Sequence, residues 1–105
     1  MLPNLGNIQK QVQKMQADMT RIQEELENEK LETSSGGGMV KVTTTGAGDV
    51  LEIKIAPEVV DPNDVQMLED LVVTAVRDAL NKSTEHRGEK MSAVTGGVKI
   101  PGMPF

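Results

Sequence analysis

Three basic side chains near the start of the chain, Lys10, Lys14 and Arg21, have types and a spacing that suit phosphate binding. They are separated by four and seven residues, so on a helix all three lie along one stripe. A row of cationic groups can contact successive phosphates of a nucleic-acid backbone. The simpler interpretation is a solvated helix exterior with Lys14 paired to Asp18, and the sequence alone favours that interpretation.

Few other groups could carry out chemistry. His86 is the only histidine, and among charged neighbours we expect it to be solvated. The chain has no cysteine, which excludes disulfides and thiolate metal sites. No Ser–His–Asp arrangement is suggested, and the glycine runs "GGGMVK" and "GAGD" lack the Gly-Lys-Ser/Thr ending of a phosphate-binding loop. The sequence therefore predicts no catalytic residue, metal, cofactor or small-molecule substrate, and we expect the protein not to be an enzyme.

The charge is unevenly distributed along the chain. The formal net charge is −5, whereas nucleic-acid-binding proteins are usually basic. Residues 1–22 nevertheless carry +2, from three cations against Asp18, and residues 82–105 carry +2, from four cations against two glutamates. The acidic residues lie between these ends, beginning with the run from Glu24 to Glu32. The ends of the chain are thus the candidate sites for an anionic partner.

A heptad pattern of apolar residues occupies the same N-terminal stretch as the basic stripe. The apolar residues recur at alternating spacings of three and four, and we call them the seam: Leu5, Ile8, Val12, Met15, Met19, Ile22 and Leu26. They predict a helix over residues 1–30, roughly 40 Å long. Because so long a helix exceeds the width of any core that the other residues could build, part of the seam must meet another helix. The short chain with a single aromatic residue favours an oligomer.

The pattern then changes to alternation over residues 31–60 and predicts a meander of three antiparallel strands. Its apolar face should be covered by a second helix over residues 61–87, with Asp61 as the N-cap. Gly88 should loosen or end that helix, and the Gly- and Pro-rich residues 88–105 should form a flexible tail. The predicted fold class is α+β, with the order α-β-β-β-α in a single domain of residues 1–105.

No signal peptide and no membrane-spanning stretch are evident. We therefore expect a cytoplasmic protein with no membrane partner.

The whole chain resembles the YbaB/EbfC family of small bacterial nucleoid-associated proteins. Four stretches carry this resemblance: "LGNIQKQVQKMQADMTRIQEEL", "SGGGMVKVTTTGAGDVLEIKIAPEVV", "DVQMLEDLVVTAVRDALNKSTEHRGEKMSAVTGG" and "PGMPF". The resemblance implies a homodimer whose sheets and second helices form the body and whose long helices project as the arms of a tweezer. It also implies duplex-DNA binding with limited sequence preference, nucleoid localisation, roles in nucleoid organisation and transcription regulation, and no enzymatic activity.

The resemblance attributes the DNA contacts to the two helices. In this sequence that implies two groups of residues: Lys10, Lys14 and Arg21 on the first, and Lys82, Arg87 and Lys90 on or after the second. The acidic run would lie near the base of the arm, and the seam would contact the protein body and a second subunit. An alternative function stays open, that of a protein-interaction adaptor that uses the seam and a Met-rich surface.

Overall fold

The computed structural model describes residues 5–95. The elements are α1 (Leu5–Asn28), β1 (Lys30–Ser35), β2 (Val40–Thr45), β3 (Val50–Ile55) and α2 (Val65–Thr95). Short 3-10 turns lie at Gly36–Gly38 and Pro57–Val59. The predicted α-β-β-β-α order and the three-stranded antiparallel meander are confirmed. Within the described part of the chain, neither helix is long and apolar enough to cross a membrane.

The main core lies between β2 and α2. Val40 and Val42 are fully buried against Ala75 and Ala79, and the two small alanine side chains let the helix lie close to the sheet. On the β1 side, the Thr33 hydroxyl donates to the Ala75 carbonyl at 3.0 Å, and a second bond of this kind joins Ser35 to Leu71 at 2.7 Å. These bonds hold α2 over β1 and β2.

The third strand is less covered than the sequence predicts. Its apolar residues were expected to lie under the second helix, but all six residues of β3 are exposed. The reason is the position of α2 on that face of the sheet. Hydroxyls of β1 hold the helix over the β1 edge, away from β3. Val42 pairs with Ile53, and Val40 with Ile55, so these two isoleucines share the helix-facing side of the sheet without a helix above them.

The beginning of α2 also differs from the prediction. Asp61 was expected to cap the helix, but the helix begins at Val65. The Asp64 carboxylate accepts the Met67 amide at 3.2 Å, as an N-cap does. The Asp61 carboxylate instead accepts the Asn63 amide at 2.9 Å and stabilises the preceding turn.

The predicted end of α2 at residue 87 is wrong, because the helix continues through Gly88 to Thr95. A glycine inside a helix costs about 1 kcal/mol relative to alanine. Contacts on both sides of it offset that cost: Arg87 bonds to the Ala47 carbonyl, and Met91 is buried against α1. Residues 88–95 are therefore helical, and the rest of the predicted tail, 96–105, lies outside the described residues.

The base of α1 packs on the end of α2. Ile22, Leu26 and Met91 are buried together, with Met19 and Val94 packed at the edge. Glu29, just past the end of α1, contacts His86 and Lys90. The helices are therefore antiparallel, since the contacts on α1 move toward its N-terminus as α2 advances. We call this region the junction; it holds α1 against the body by its last two turns.

Candidate nucleic-acid interface

The first half of α1 projects from the body as an arm. We define the arm as Leu5–Ala17, in which every residue is exposed. The arm is amphipathic, with glutamines and lysines on either side of an apolar stripe. Among residues 5–95, the arm is held only through the junction below it, so no other described part of the chain covers its surfaces.

Lys10 and Lys14 lie on the arm, on the side opposite the seam. Both side chains are exposed, and within residues 5–95 neither has a hydrogen bond or an ion pair. The predicted pairing of Lys14 with Asp18 is not formed, because Asp18 pairs with Arg21 instead. The two ammonium groups can therefore bind an anion without first breaking a contact within the described chain.

Arg21 completes the predicted stripe but, unlike the two lysines, it forms ion pairs within the helix. Its guanidinium lies 3.5 Å from the Asp18 carboxylate and 3.2 Å from that of Glu25. These are exposed pairs one turn apart on the same helix, and each stabilises it by a few tenths of a kcal/mol (~0.3–0.5). A phosphate would compete easily with such pairs.

The second basic group bonds within the protein. Lys82 donates to the Glu32 carbonyl at 3.0 Å, and Arg87 donates to the Ala47 carbonyl at 3.0 Å. Lys90 contacts the Glu29 carboxylate and lies 3.5 Å from the carboxylate of Glu25. The structure thus gives each of these cations a partner on the body or at the junction, unlike Lys10 and Lys14.

Glu29 is the centre of the junction. Its carboxylate accepts hydrogen bonds from Lys90 and from His86, whose Nε2 must carry the proton because a carboxylate has none to donate. The hydrogen bond from Lys90, and next that from His86, lowers the pKa of the Glu29 carboxyl below its ordinary value. The same contact with Glu29 raises the pKa of Lys90. The expectation that His86 is solvated is wrong: it is half-buried at this contact.

The backbone approaches the helix base closely beside these charges. A Cβ on Gly46 would lie 2.9 Å from a methyl carbon of Leu26 and 3.0 Å from its carbonyl oxygen. The Gly46 amide donates to the Glu29 carbonyl at 3.1 Å, and the buried Ser83 hydroxyl lies 2.9 Å from the Gly46 carbonyl oxygen. Apolar contacts, backbone bonds and ion pairs therefore act together to fix the direction of the arm.

Sequence reasoning missed the structural importance of Glu29. The signals were present: Glu29 occupies a seam position, and His86 and Lys90 are four residues apart, which puts them on one face of α2. The contact joins residues 57 and 61 positions apart, so only the fold could reveal it. Exposed Lys41, Lys54 and Arg77 were also left out of the predicted site.

Comparison with known proteins shows that the sequence matches one family. The model of the YbaB/EbfC DNA-binding family matches residues 1–98. A nucleoid-associated protein of Ruminiclostridium cellulolyticum is 50% identical over 101 residues, which cover 95% of this chain and 88% of that protein. One from Acetivibrio thermocellus is 52% identical over 101 residues, covering 95% and 89%. One from Desulforamulus reducens is 52% identical over 100 residues, covering 95% of each.

A solved structure has the same fold. The crystal structure of the uncharacterized protein HP0035 from Helicobacter pylori superimposes with a TM-score of 0.80 at 19% identity, covering 90% of this chain and all of that one. At this identity the likeness supports the fold alone.

Proposed function

The chain belongs to the YbaB/EbfC DNA-binding family, and we propose that it binds duplex DNA as a homodimer through phosphate contacts from its two arms. The observation that carries this proposal is the state of Lys10 and Lys14. They are exposed on a projecting helix and have no partner within residues 5–95. Free ammonium groups gain the most from a phosphate, because no existing ion pair has to be broken.

The composition supports duplex DNA over single strands. Binding to single strands commonly uses aromatic side chains as stacking platforms, and the only aromatic residue in the sequence is Phe105. Lysines are point charges without the bidentate geometry that arginine uses to read guanine. Contacts of this kind position a protein on the backbone, so we expect binding with little sequence preference and a strong dependence on salt.

A second copy would double the basic stripes. An apolar surface on the body, exposed within the single chain, suits this copy: Ile53 and Ile55 of β3, and Val73 and Leu80 on the flank of α2. We call these residues the body surface. A two-fold dimer through the body surface would leave both arms projecting and present two stripes to one duplex. The seam as a contact between subunits stays a prediction, and its Ile22 and Leu26 already pack within the chain.

The six predicted DNA contacts do not support the proposal equally. Lys10 and Lys14 are the strongest candidates, and Arg21 follows because its two partners are exposed. Arg87 and Lys90 fit a supporting role, in which they hold the arm at the junction. Lys82 is exposed but donates to a backbone carbonyl. We propose that these last three contribute less to DNA affinity than the arm lysines.

The broader role follows from the relatives. The Ruminiclostridium and Acetivibrio proteins are named nucleoid-associated proteins. We propose that this chain also acts in the nucleoid within the cytoplasm, that it contributes to nucleoid organisation and transcription regulation, and that it does so without enzymatic activity.

The test is to neutralise the charges on the arm and to compare the result with a matched control variant. The variant Lys10→Gln/Lys14→Gln removes two charges from each arm, and Lys41→Gln/Lys54→Gln removes two from the body. We expect the arm variant to lose at least about tenfold in affinity for a short duplex at low salt, since it loses four charges per dimer. The body variant should lose much less.

Equal losses in the two variants would show that only the net charge matters and would contradict the arm as the site. Full affinity in the arm variant would likewise exclude it. A protein partner that co-purifies in stoichiometric amounts after nuclease treatment, with no DNA affinity in the purified protein, would favour the adaptor function.

A further inference from the structure

The open edge of β3 is a part of the sheet that residues 5–95 leave without a partner strand. The strand order is β1-β2-β3, so each outer strand has one edge that no described strand pairs with. The helix α2 lies over β1, whose Thr33 and Ser35 bond to it, whereas every residue of β3 is exposed. An exposed strand edge with apolar residues is a template for pairing with a strand of another chain.

The backbone of β3 directs the polar groups of Ile53 and Ile55 toward this open edge. On the side of β2, the Ala56 amide donates to the Met39 carbonyl at 2.8 Å. Along an antiparallel ladder, such hydrogen-bonded pairs alternate with pairs that exchange no hydrogen bonds. Ile55, opposite Val40, is the next position of this ladder, so its N–H and C=O point away from β2. Two residues earlier, the same holds for Ile53.

An apolar groove on α2 lies on the same side of the molecule as this edge. The Leu71 side chain lies beside Gly36, at the end of β1. Val73 and Leu80 follow two and nine residues later, which puts them on the opposite flank of the helix, toward β3. This flank carries an open groove of about 450 Å³, lined by Val72, Val73, Val76, Arg77, Leu80 and Asn81. The groove and the isoleucines of β3 thus form one continuous docking surface.

The sequence of β3 is self-complementary when two copies meet in antiparallel orientation. Glu52 and Lys54 lie symmetrically on either side of Ile53, and within one chain they form an exposed ion pair at 3.6 Å. A two-fold axis through Ile53 puts Glu52 of each strand opposite Lys54 of the other, which joins the two pairs into a square of alternating charges.

Other registers of this strand pair are unfavourable. A slip of two residues in either direction puts Lys54 opposite Lys54 or Glu52 opposite Glu52, and like charges directly across a strand pair are destabilising. A slip of one residue places a charged side chain opposite Ile53 and mismatches the two faces of the sheet. The charges therefore select the register centred on Ile53.

We propose that two copies of the chain join their β3 strands edge to edge in this register and form one six-stranded antiparallel sheet. The proposal rests on the homodimer proposed above and specifies how its subunits meet. Ile53 lies on the two-fold axis and exchanges two backbone hydrogen bonds with its counterpart. The pairing covers Glu52–Lys54 of each strand, because a bulge at Leu51 bends the strand before it. Both α2 helices lie on one side of the sheet, with their grooves facing each other above the isoleucines.

Charge reversal at the paired positions tests this register. Glu52→Lys brings two lysine pairs together in the dimer, and Lys54→Glu brings two carboxylate pairs together. We expect each variant alone to raise the dissociation constant of the dimer at least about tenfold at low salt, measured by analytical ultracentrifugation. Reversal is needed because a neutral glutamine at position 54 keeps a hydrogen bond to Glu52 and adds no repulsion.

Glu32→Lys is the matched control for the charge itself. Glu32 of β1 and Glu52 of β3 are both exposed and pair with Thr43 from its two sides, so they share the same face of the sheet. Only Glu52 lies on the proposed subunit contact. Glu32→Lys should therefore leave the dissociation constant of the dimer unchanged, and all variants should keep the helix content of the parent by circular dichroism.

A mixture of the two variants separates this register from a general effect of charge. In a mixed dimer of Glu52→Lys with Lys54→Glu, opposite charges face each other at both positions, so dimer affinity should return close to that of the parent. Parent-like dimers of each variant alone, or no recovery in the mixture, would overturn the pairing and leave the homodimer standing. A monomeric parent would overturn the homodimer as well.

Discussion

Two neighbouring threonines at the end of β2 should have opposite effects on the stability of the fold. Thr44 and Thr45 are both buried. The Thr45 hydroxyl accepts the Asp49 amide at 3.1 Å. The Thr44 hydroxyl is fully enclosed and has no partner within the described residues. A buried hydroxyl without a hydrogen-bond partner is unfavourable, so the Thr44 hydroxyl lowers the stability of the fold.

Replacing Thr44 with Val should therefore stabilise the fold. The change keeps the shape and removes the unsatisfied group, and we expect a gain of about 1 kcal/mol in the free energy of unfolding. Thr45→Val is the matched control and should lose about 1 kcal/mol, because it leaves the Asp49 amide unpaired. Urea denaturation of both variants measures the difference. Destabilisation by Thr44→Val as large as by Thr45→Val would show that the Thr44 hydroxyl has a partner.

Glu29 should give the junction a dependence on acid. Its pKa is lowered in the fold from the ordinary 4.5, so its contribution to stability is present above that value and is lost as the pH falls through the lowered pKa. We expect Glu29→Gln to show a shallower loss of melting temperature than the parent below about pH 4.5. Thermal melts from pH 7 to pH 2.5 provide the measurement, and parallel curves for the two proteins would contradict this role.

At the scale of elements, α1 is one helix with two environments. Its heptad pattern is continuous, yet Ile22 and Leu26 in the last two turns are buried at the junction, whereas the arm is exposed. The periodicity predicted the helix and its need for a partner, because spacing depends only on local sequence. It could not show which part of the seam the chain itself covers, since that depends on where α2 ends.

Two of the errors about elements, the end of α2 and the cover of β3, have the same origin. Gly88 is a local signal for a helix end, and contacts of Arg87 and Met91 with distant parts of the chain override it. The apolar residues of β3 predict burial, but they are exposed because α2 lies over the other two strands. For the candidate site, the spacing predicted that Lys10 and Lys14 share one stripe, whereas the bonds of Arg87 and Lys90 connect residues far apart in sequence and could not be predicted from spacing.

Leu26 should be the most costly side chain to truncate in α1. It is 1% exposed and lies against Gly46, where the helix base meets the hairpin. We expect Leu26→Ala to lose about 2–5 kcal/mol, from lost burial and the cavity left behind. Leu51→Ala, at a site 52% exposed, should change stability by less than about 0.5 kcal/mol. Chemical denaturation checks both, and similar losses at the two sites would contradict the junction packing.

At the scale of the molecule, the described chain has an elongated shape of 76 × 23 × 16 Å. The core between α2 and two strands is small, and the body surface leaves apolar residues of β3 and α2 exposed. A chain of this kind gains buried area by association. The proposed homodimer thus accounts for an exposed apolar surface and also brings two arms together.

Charges on the body surface should separate the subunits. Val73→Glu/Leu80→Glu places two carboxylates on the α2 flank, at sites exposed in the single chain, so the fold of each chain should survive. We expect sedimentation velocity to show monomers for this variant and dimers for the parent, with unchanged helix content by circular dichroism. Leu51→Glu, equally exposed but elsewhere on the sheet, should remain dimeric. A dimeric Val73→Glu/Leu80→Glu variant would place the interface elsewhere.

The central claim, that the arm lysines bind the phosphates of duplex DNA, is tested most directly by the salt dependence of affinity. Fluorescence anisotropy of a labelled duplex, titrated with the purified protein at several salt concentrations, gives the slope of log K against log salt. Two lysines on each of two arms contribute roughly −4 to this slope, and Lys10→Gln/Lys14→Gln should make the slope shallower by about that amount. A parent slope near zero, or an equally steep slope in the variant, would contradict the claim.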